Sequence, residues 1–130
     1  MPVSGAAGRL RVAVIGHGWW GRVHLEAYRR NPPTTLVAVC GRDPGRAADA
    51  AAAYGAHPYT DMSRMLEAEH PDLVSVVLPD AAHLGPTLRV LEAGIACFAE
   101  KPLARDIEEA ETLLTAARRR EVRGALRYQL

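Results

Sequence analysis

Cysteine is nearly missing from this chain: there are two in 130 residues, Cys40 and Cys97. Each sits in an apolar, strand-like run, which suits buried free thiols in a reducing compartment and excludes a disulfide scaffold. A cytoplasmic location is therefore expected. Aromatic residues are scarce at 5%, so the core must come from small and branched aliphatics, with 23 alanines to pack closely. Long apolar runs are absent as well. Val12–Ile15 is cut off by Gly16, and Met1–Gly8 has no basic region leading into an apolar stretch, so no signal peptide is expected. Nothing approaches the ~18 apolar residues of a membrane span. Charge does not lean either way, with 16 basic against 15 acidic residues and a net charge of +1. That argues against the concentrated basic face of a nucleic-acid or membrane-surface binder. The sharpest scarcity is lysine: Lys101 stands alone beside fifteen arginines.

What is present is an ordinary globular composition, 48% apolar and 24% charged. The length suits one domain, with a flexible tail expected over residues 1–8 and the domain over 9–130. Short apolar runs alternate with helical patterns. Strands are expected at Leu10–Ile15, Leu36–Cys40, His57–Tyr59, Leu73–Leu78, Ile95–Ala99 and Val122–Leu126. Several are continuously apolar, as in a parallel sheet covered on both faces. Asp43-Pro44 opens a helix that Gly55 stops, Thr60 is expected to cap the next, and Pro86 lies near the start of a helix ending at Gly94. Asp106 and Glu109 form a capping-box pattern for the last helix, whose terminal Arg118-Arg119-Arg120 complements the helix dipole in solvent. Such alternation predicts an α/β fold of the Rossmann type. Its doubly wound parallel sheet should have strand order 3-2-1-4-5-6 and helices on both faces. In that order two strands separate Cys40 from Cys97, too far for a bond.

Gly16-His17-Gly18-Trp19-Trp20-Gly21 matches G-x-G-x-x-G directly after the first strand and at the opening of a helix, the context that gives the motif meaning. The first glycine permits the tight turn, the second lets a pyrophosphate approach the backbone, and the third lets helix and strand pack closely. About twenty residues on, an acid would hold the adenosine ribose hydroxyls. Here the second strand ends in Cys40-Gly41-Arg42-Asp43. Without a carboxylate at Gly41, a 2′-phosphate is not repelled, and Arg42 can pair with it. This favours NADP over NAD, with Asp43 on the ribose as the alternative. Glu100-Lys101-Pro102 follows the fifth strand, at the carboxyl end where ligands of such sheets bind. Lys101 can change protonation state when partly desolvated, which suits proton transfer; the plainer reading is a surface ion pair. His17, His24 and His83 lack metal-site spacing, so no metal is expected. His24 is read as a hydrogen-bonded histidine in a first helical turn.

Together these residues resemble the N-terminal nucleotide-binding domain of the glucose–fructose oxidoreductase/inositol dehydrogenase/MocA (Gfo/Idh/MocA) family. The resemblance covers about Arg9 to Leu130. It rests on the glycine motif running into Arg22-Val23-His24, on Leu78-Pro79-Asp80-Ala81-Ala82-His83 after the fourth strand, and on Glu100-Lys101-Pro102. It implies an NAD(P)-dependent oxidoreductase that moves hydride between nicotinamide and a sugar, cyclitol or similar hydroxyl or carbonyl substrate. Lys101 would be the catalytic residue, contacting the substrate oxygen and helping to move its proton. Leu78, Pro79 and Asp80 would line the cofactor, and His83 would begin the next helix near the cleft. Glu100 would sit by the nicotinamide ribose, and Pro102 would follow a peptide that is commonly cis in the family. Family members continue into a second α/β domain that completes the substrate pocket and serves oligomerisation, and the resemblance implies that this catalytic domain is absent here. The alternatives are a subunit of a split oxidoreductase, with a second-domain chain or a homo-oligomer as partner, and a non-catalytic dinucleotide-binding module.

Overall fold

The computed structural model describes residues 8–79, 82–100, 106–120 and 124–127, the last of these by backbone alone. Six strands and five helices alternate along the chain: β1 (Leu10–Ile15), α1 (Trp19–Arg29), β2 (Thr34–Cys40), α2 (Pro44–Ala53), β3 (His57–Tyr59), α3 (Met62–Glu69), β4 (Leu73–Val76), α4 (Leu84–Glu92), β5 (Ala96–Glu100), α5 (Ile107–Arg119) and β6 (Gly124–Arg127). The strands form one sheet of order β3-β2-β1-β4-β5-β6, parallel at every pairing, as the alternation predicts.

Alternation along the strands divides the core in two. Ala13, Ile15, Val74, Val76, Cys97 and Ala99 face one way, against Met65 of α3, Val90 and Leu91 of α4 and Leu113 of α5. Val14 and Val39 face the other way, against Leu25 of α1 and Ala50 and Ala51 of α2. Helices thus cover both faces, and alanines on α2 let that helix lie close to the sheet. Cys40 and Cys97 are buried free thiols on β2 and β5, with β1 and β4 between them. Burial pushes the Cys40 thiol up to about 11, with help from the Asp61 charge, and burial alone pushes Cys97 up to about 12. Neither thiol is ionised near neutrality.

Three of the five helices start on aspartates. Asp43 accepts from the Gly45 and Arg46 amides, Asp61 from Ser63 and Arg64, and Asp106 from Glu109. The cap of α3 is therefore Asp61 and not Thr60, because a carboxylate one residue later meets two of the free first-turn amides. Boundaries shift modestly elsewhere. β2 begins two residues earlier than the apolar run, at Thr34, and β4 stops at Val76, two residues before its apolar run ends. Among the described residues no helix is long and apolar enough to cross a membrane.

Candidate functional site

The carboxyl ends of β1, β2 and β4 meet the N-terminus of α1, and two of the glycines there are fixed by sterics. Gly16 has φ +113, and a Cβ on it would fall inside contact distance of the Val77 carbonyl. Its amide donates to the Cys40 carbonyl at 2.8 Å, tying the turn to β2. A Cβ on Gly21 would run into the Gly16 carbonyl, so α1 can approach β1 only through glycine.

Gly18 is different. It has an ordinary φ of −73, and a Cβ there would have none of the described residues within 4 Å, so these place no demand on a glycine at this position. Gly18 is also the N-cap of α1 and supplies no side-chain hydrogen bond, so the amides of that first turn are left to other partners. A backbone open to close approach, at a helix N-terminus whose N-cap residue brings no side chain, suits a phosphate group. Trp19 and Trp20 stand beside it, 71% and 41% exposed, their rings edge to face at 4.7 Å.

Gly41, just past β2, donates its amide to the Tyr59 carbonyl at 3.0 Å. The His17 ring occupies the space a side chain at Gly41 would need. Arg42 is exposed and has no ion-pair partner among the described residues. Asp43 is engaged with α2. The Arg46 amide lowers its carboxyl against the opposing effect of desolvation, followed by the Gly45 amide and the charges of Arg46 and His17. Ile15, Gly41, Arg42, Thr60, Leu78 and Pro86 line a cleft of about 360 Å³ at this end of the sheet. Pro79 is exposed and accepts from the Ala82 amide. Asp80, Lys101 and Pro102 lie outside the described residues.

Two expected site residues are held by the core. His83, 3% exposed, begins α4 with its Nε2 donating to the Val76 carbonyl at 3.1 Å. Glu100 takes part in a buried polar chain that sequence spacing does not assemble. His24 Nε2 lies 2.8 Å from Glu100 Oε1, His24 Nδ1 3.1 Å from Ser75 Oγ, and Ser75 Oγ 2.5 Å from the Tyr28 hydroxyl. A neutral His24 ring satisfies every member: Tyr28 donates to Ser75, Ser75 to Nδ1, and Nε2 donates to Glu100. His24 is hydrogen-bonded as expected, though in the second turn of α1. The available signal was Ser75, the one polar residue inside the run Leu73–Leu78, which needs a partner when buried.

A model of the oxidoreductase family described as an NAD-binding Rossmann fold matches residues 10–128. The chain belongs to that family, Gfo/Idh/MocA. D-glucoside 3-dehydrogenase from Escherichia coli is 40% identical to it over 112 residues, 85% of this chain and 32% of that protein. The crystal structure of GenD2 from gentamicin A biosynthesis, in complex with NAD, is 34% identical with a TM-score of 0.88, covering 95% of this chain and 36% of that one. A 3-ketoreductase from Actinomadura kijaniata, in complex with TDP-benzene and NADP, is 33% identical with a TM-score of 0.82, covering 88% of this chain and 37% of that one. The chain spans about a third of the length of the curated relatives it matches. Residues 10–128 of this Gfo/Idh/MocA chain are thus an NAD(P)-binding Rossmann domain.

Proposed function

We propose that this domain holds the nicotinamide dinucleotide of an oxidoreductase acting on a sugar, cyclitol or related hydroxyl or carbonyl compound. The observation that carries the reading is Gly18: the described residues place no demand on a glycine there, and a pyrophosphate does. The bound dinucleotide supplies hydride transfer. Gly16–Gly21 and the first turn of α1 receive the pyrophosphate, and the cleft beside Gly41, Arg42 and Leu78 takes the adenosine end. Glu100, fixed by His24, stands at the end of β5 immediately before Lys101. On this reading Lys101 moves the proton at the substrate oxygen, and groups outside residues 1–130 complete the substrate pocket.

Sugar substrates are supported by relatives such as D-glucoside 3-dehydrogenase and the NADP-dependent scyllo-inositol 2-dehydrogenase from Bacillus subtilis. The test is Lys101→Ala in a protein that carries this domain with its substrate-binding region. Removing a general acid–base group should lower kcat by about 10²-fold or more, with dinucleotide affinity unchanged. Full turnover in that variant would overturn the assignment.

NADP is the preferred cofactor on this reading. Position 41 offers no carboxylate, Arg42 carries a cation with no ion-pair partner among the described residues, and Asp43 is occupied with the α2 amides. Arg42→Ala should weaken NADP by roughly 1.5–3 kcal/mol, the range for a hydrogen bond to a charged group, and leave NAD nearly unaffected. Titration of both cofactors against both proteins decides it, and equal losses would remove the preference.

A further inference from the structure

The His17 imidazole fills the space where a side chain on residue 41 would stand. That is the position from which an acid at the end of β2 reaches the ribose hydroxyls in this fold. His17 is half-buried, and its ring has no hydrogen-bond partner among the described residues. Its position is electrostatically coupled to the same segment, since its charge contributes to lowering the Asp43 carboxyl. We infer that His17 takes over the role of the missing acid, meeting the 2′ position of the adenosine ribose and making the choice between NADP and NAD depend on pH. This rests on the dinucleotide reading above and extends it to a residue and a condition.

The chemistry follows from the two states of an imidazole. The neutral ring can exchange a hydrogen bond with a ribose hydroxyl but offers a 2′-phosphate no charge. The imidazolium donates from both nitrogens and pairs with the phosphate through a charge-assisted hydrogen bond. Histidine is the side chain that ordinarily changes charge between pH 5 and 8. Other charges bear on the ring. The charged groups on the neighbouring segments are Asp43, which the His17 charge acts on, Arg42 and Arg46 on the β2–α2 segment, and Arg22 in the first turn of α1. Asp61 at the start of α3 acts on neighbouring Cys40. Asp80, after β4, lies outside the described residues.

The experiment is a titration of NADP and NAD against the 130-residue chain between pH 8.5 and 6.5, repeated with His17→Asn and His17→Gln. In the unaltered protein the preference for NADP should rise about tenfold as pH falls, the size expected of one additional charge-assisted hydrogen bond. In either variant the preference should stay level or decline. The phosphate itself begins to take up a proton near pH 6, an effect of opposite sign to that of His17. If a folded variant keeps the rise, His17 is not the selector, while the dinucleotide reading stands. If the unaltered chain binds neither cofactor, both readings fall.

Discussion

Gly21→Ala should cost the domain about 3 kcal/mol or more of stability, because the added methyl must displace backbone and not a flexible side chain. The obstacle is the Gly16 carbonyl, and Gly16 is itself held by its φ of +113 and by the Val77 carbonyl behind it. Neither can yield without opening the turn between β1 and α1. Against a total of about 5–15 kcal/mol for a typical domain, that loss leaves a fraction of the molecules unfolded at growth temperature. Gly16→Ala should be at least as severe, since strain at a positive φ adds to a collision with the Val77 carbonyl. Gly18→Ala should behave in the opposite way. Its φ is ordinary and its surroundings are open, so the urea midpoint should hardly move. Binding of both dinucleotides should fall by about tenfold or more, because the methyl stands where the pyrophosphate meets the backbone. Denaturation and titration on the three proteins separate the roles. A Gly18→Ala protein that binds both cofactors normally would remove the main support for the proposed function.

That contrast shows why one motif could be read at two depths. The strand-glycine-helix context was legible because each β unit carries its own signals. Apolar runs such as Val12–Ile15 and Leu36–Cys40 have no polar face to expose, and Asp43-Pro44 and Asp106 mark helix starts. Local chemistry also explains the errors. Thr60 and Asp61 are adjacent capping residues, and only geometry shows which oxygen faces the amides. Long-range chemistry was not legible. Glu69 looks like an ordinary helix-end carboxylate beside Glu67, yet it is 6% exposed and Glu67 lies in solvent. Its partners come from β1 and β3, and nothing in the spacing of Arg11, His57 and Tyr59 announces that they converge. The same holds for Glu100, His24, Ser75 and Tyr28, which separate segments bring together under α1. His17 and Gly41 belong together only because the first and second strands are neighbours in the sheet.

The carboxylate of Glu69 should be the strongest polar anchor at the end of the sheet opposite the glycine turn. Tyr59 donates to its Oε2 at 2.6 Å, His57 Nδ1 to the same oxygen at 2.7 Å, and Arg11 Nη2 to Oε1 at 3.1 Å. Arg11 also grips the Glu69 backbone carbonyl through Nε and Nη2, at 2.9 and 2.6 Å. Glu69→Ala should therefore destabilise by about 3 kcal/mol, less than three separate charged hydrogen bonds would sum to. Arg11 keeps its carbonyl contacts, and His57, itself exposed, regains water. Burial acts to raise the Glu69 carboxyl, but the hydrogen bonds from Tyr59 and His57 and the charges of His57 and Arg11 hold it below its ordinary 4.5. A lowered carboxyl stabilises the fold above its unfolded value and loses that contribution as pH falls through the folded one. Tyr59 responds at the other extreme. The bond to Glu69, then burial, pushes its phenol from 10 up to about 12, so its contribution is complete below pH 10 and disappears as pH rises toward 12. The stability difference between the natural protein and Glu69→Gln should accordingly be present near neutrality and shrink at the acid end, as the carboxylate is protonated. Unfolding measured from neutral to acid pH checks it, and a difference that stayed constant down to pH 3 would show that the charge on Glu69 contributes nothing to the fold.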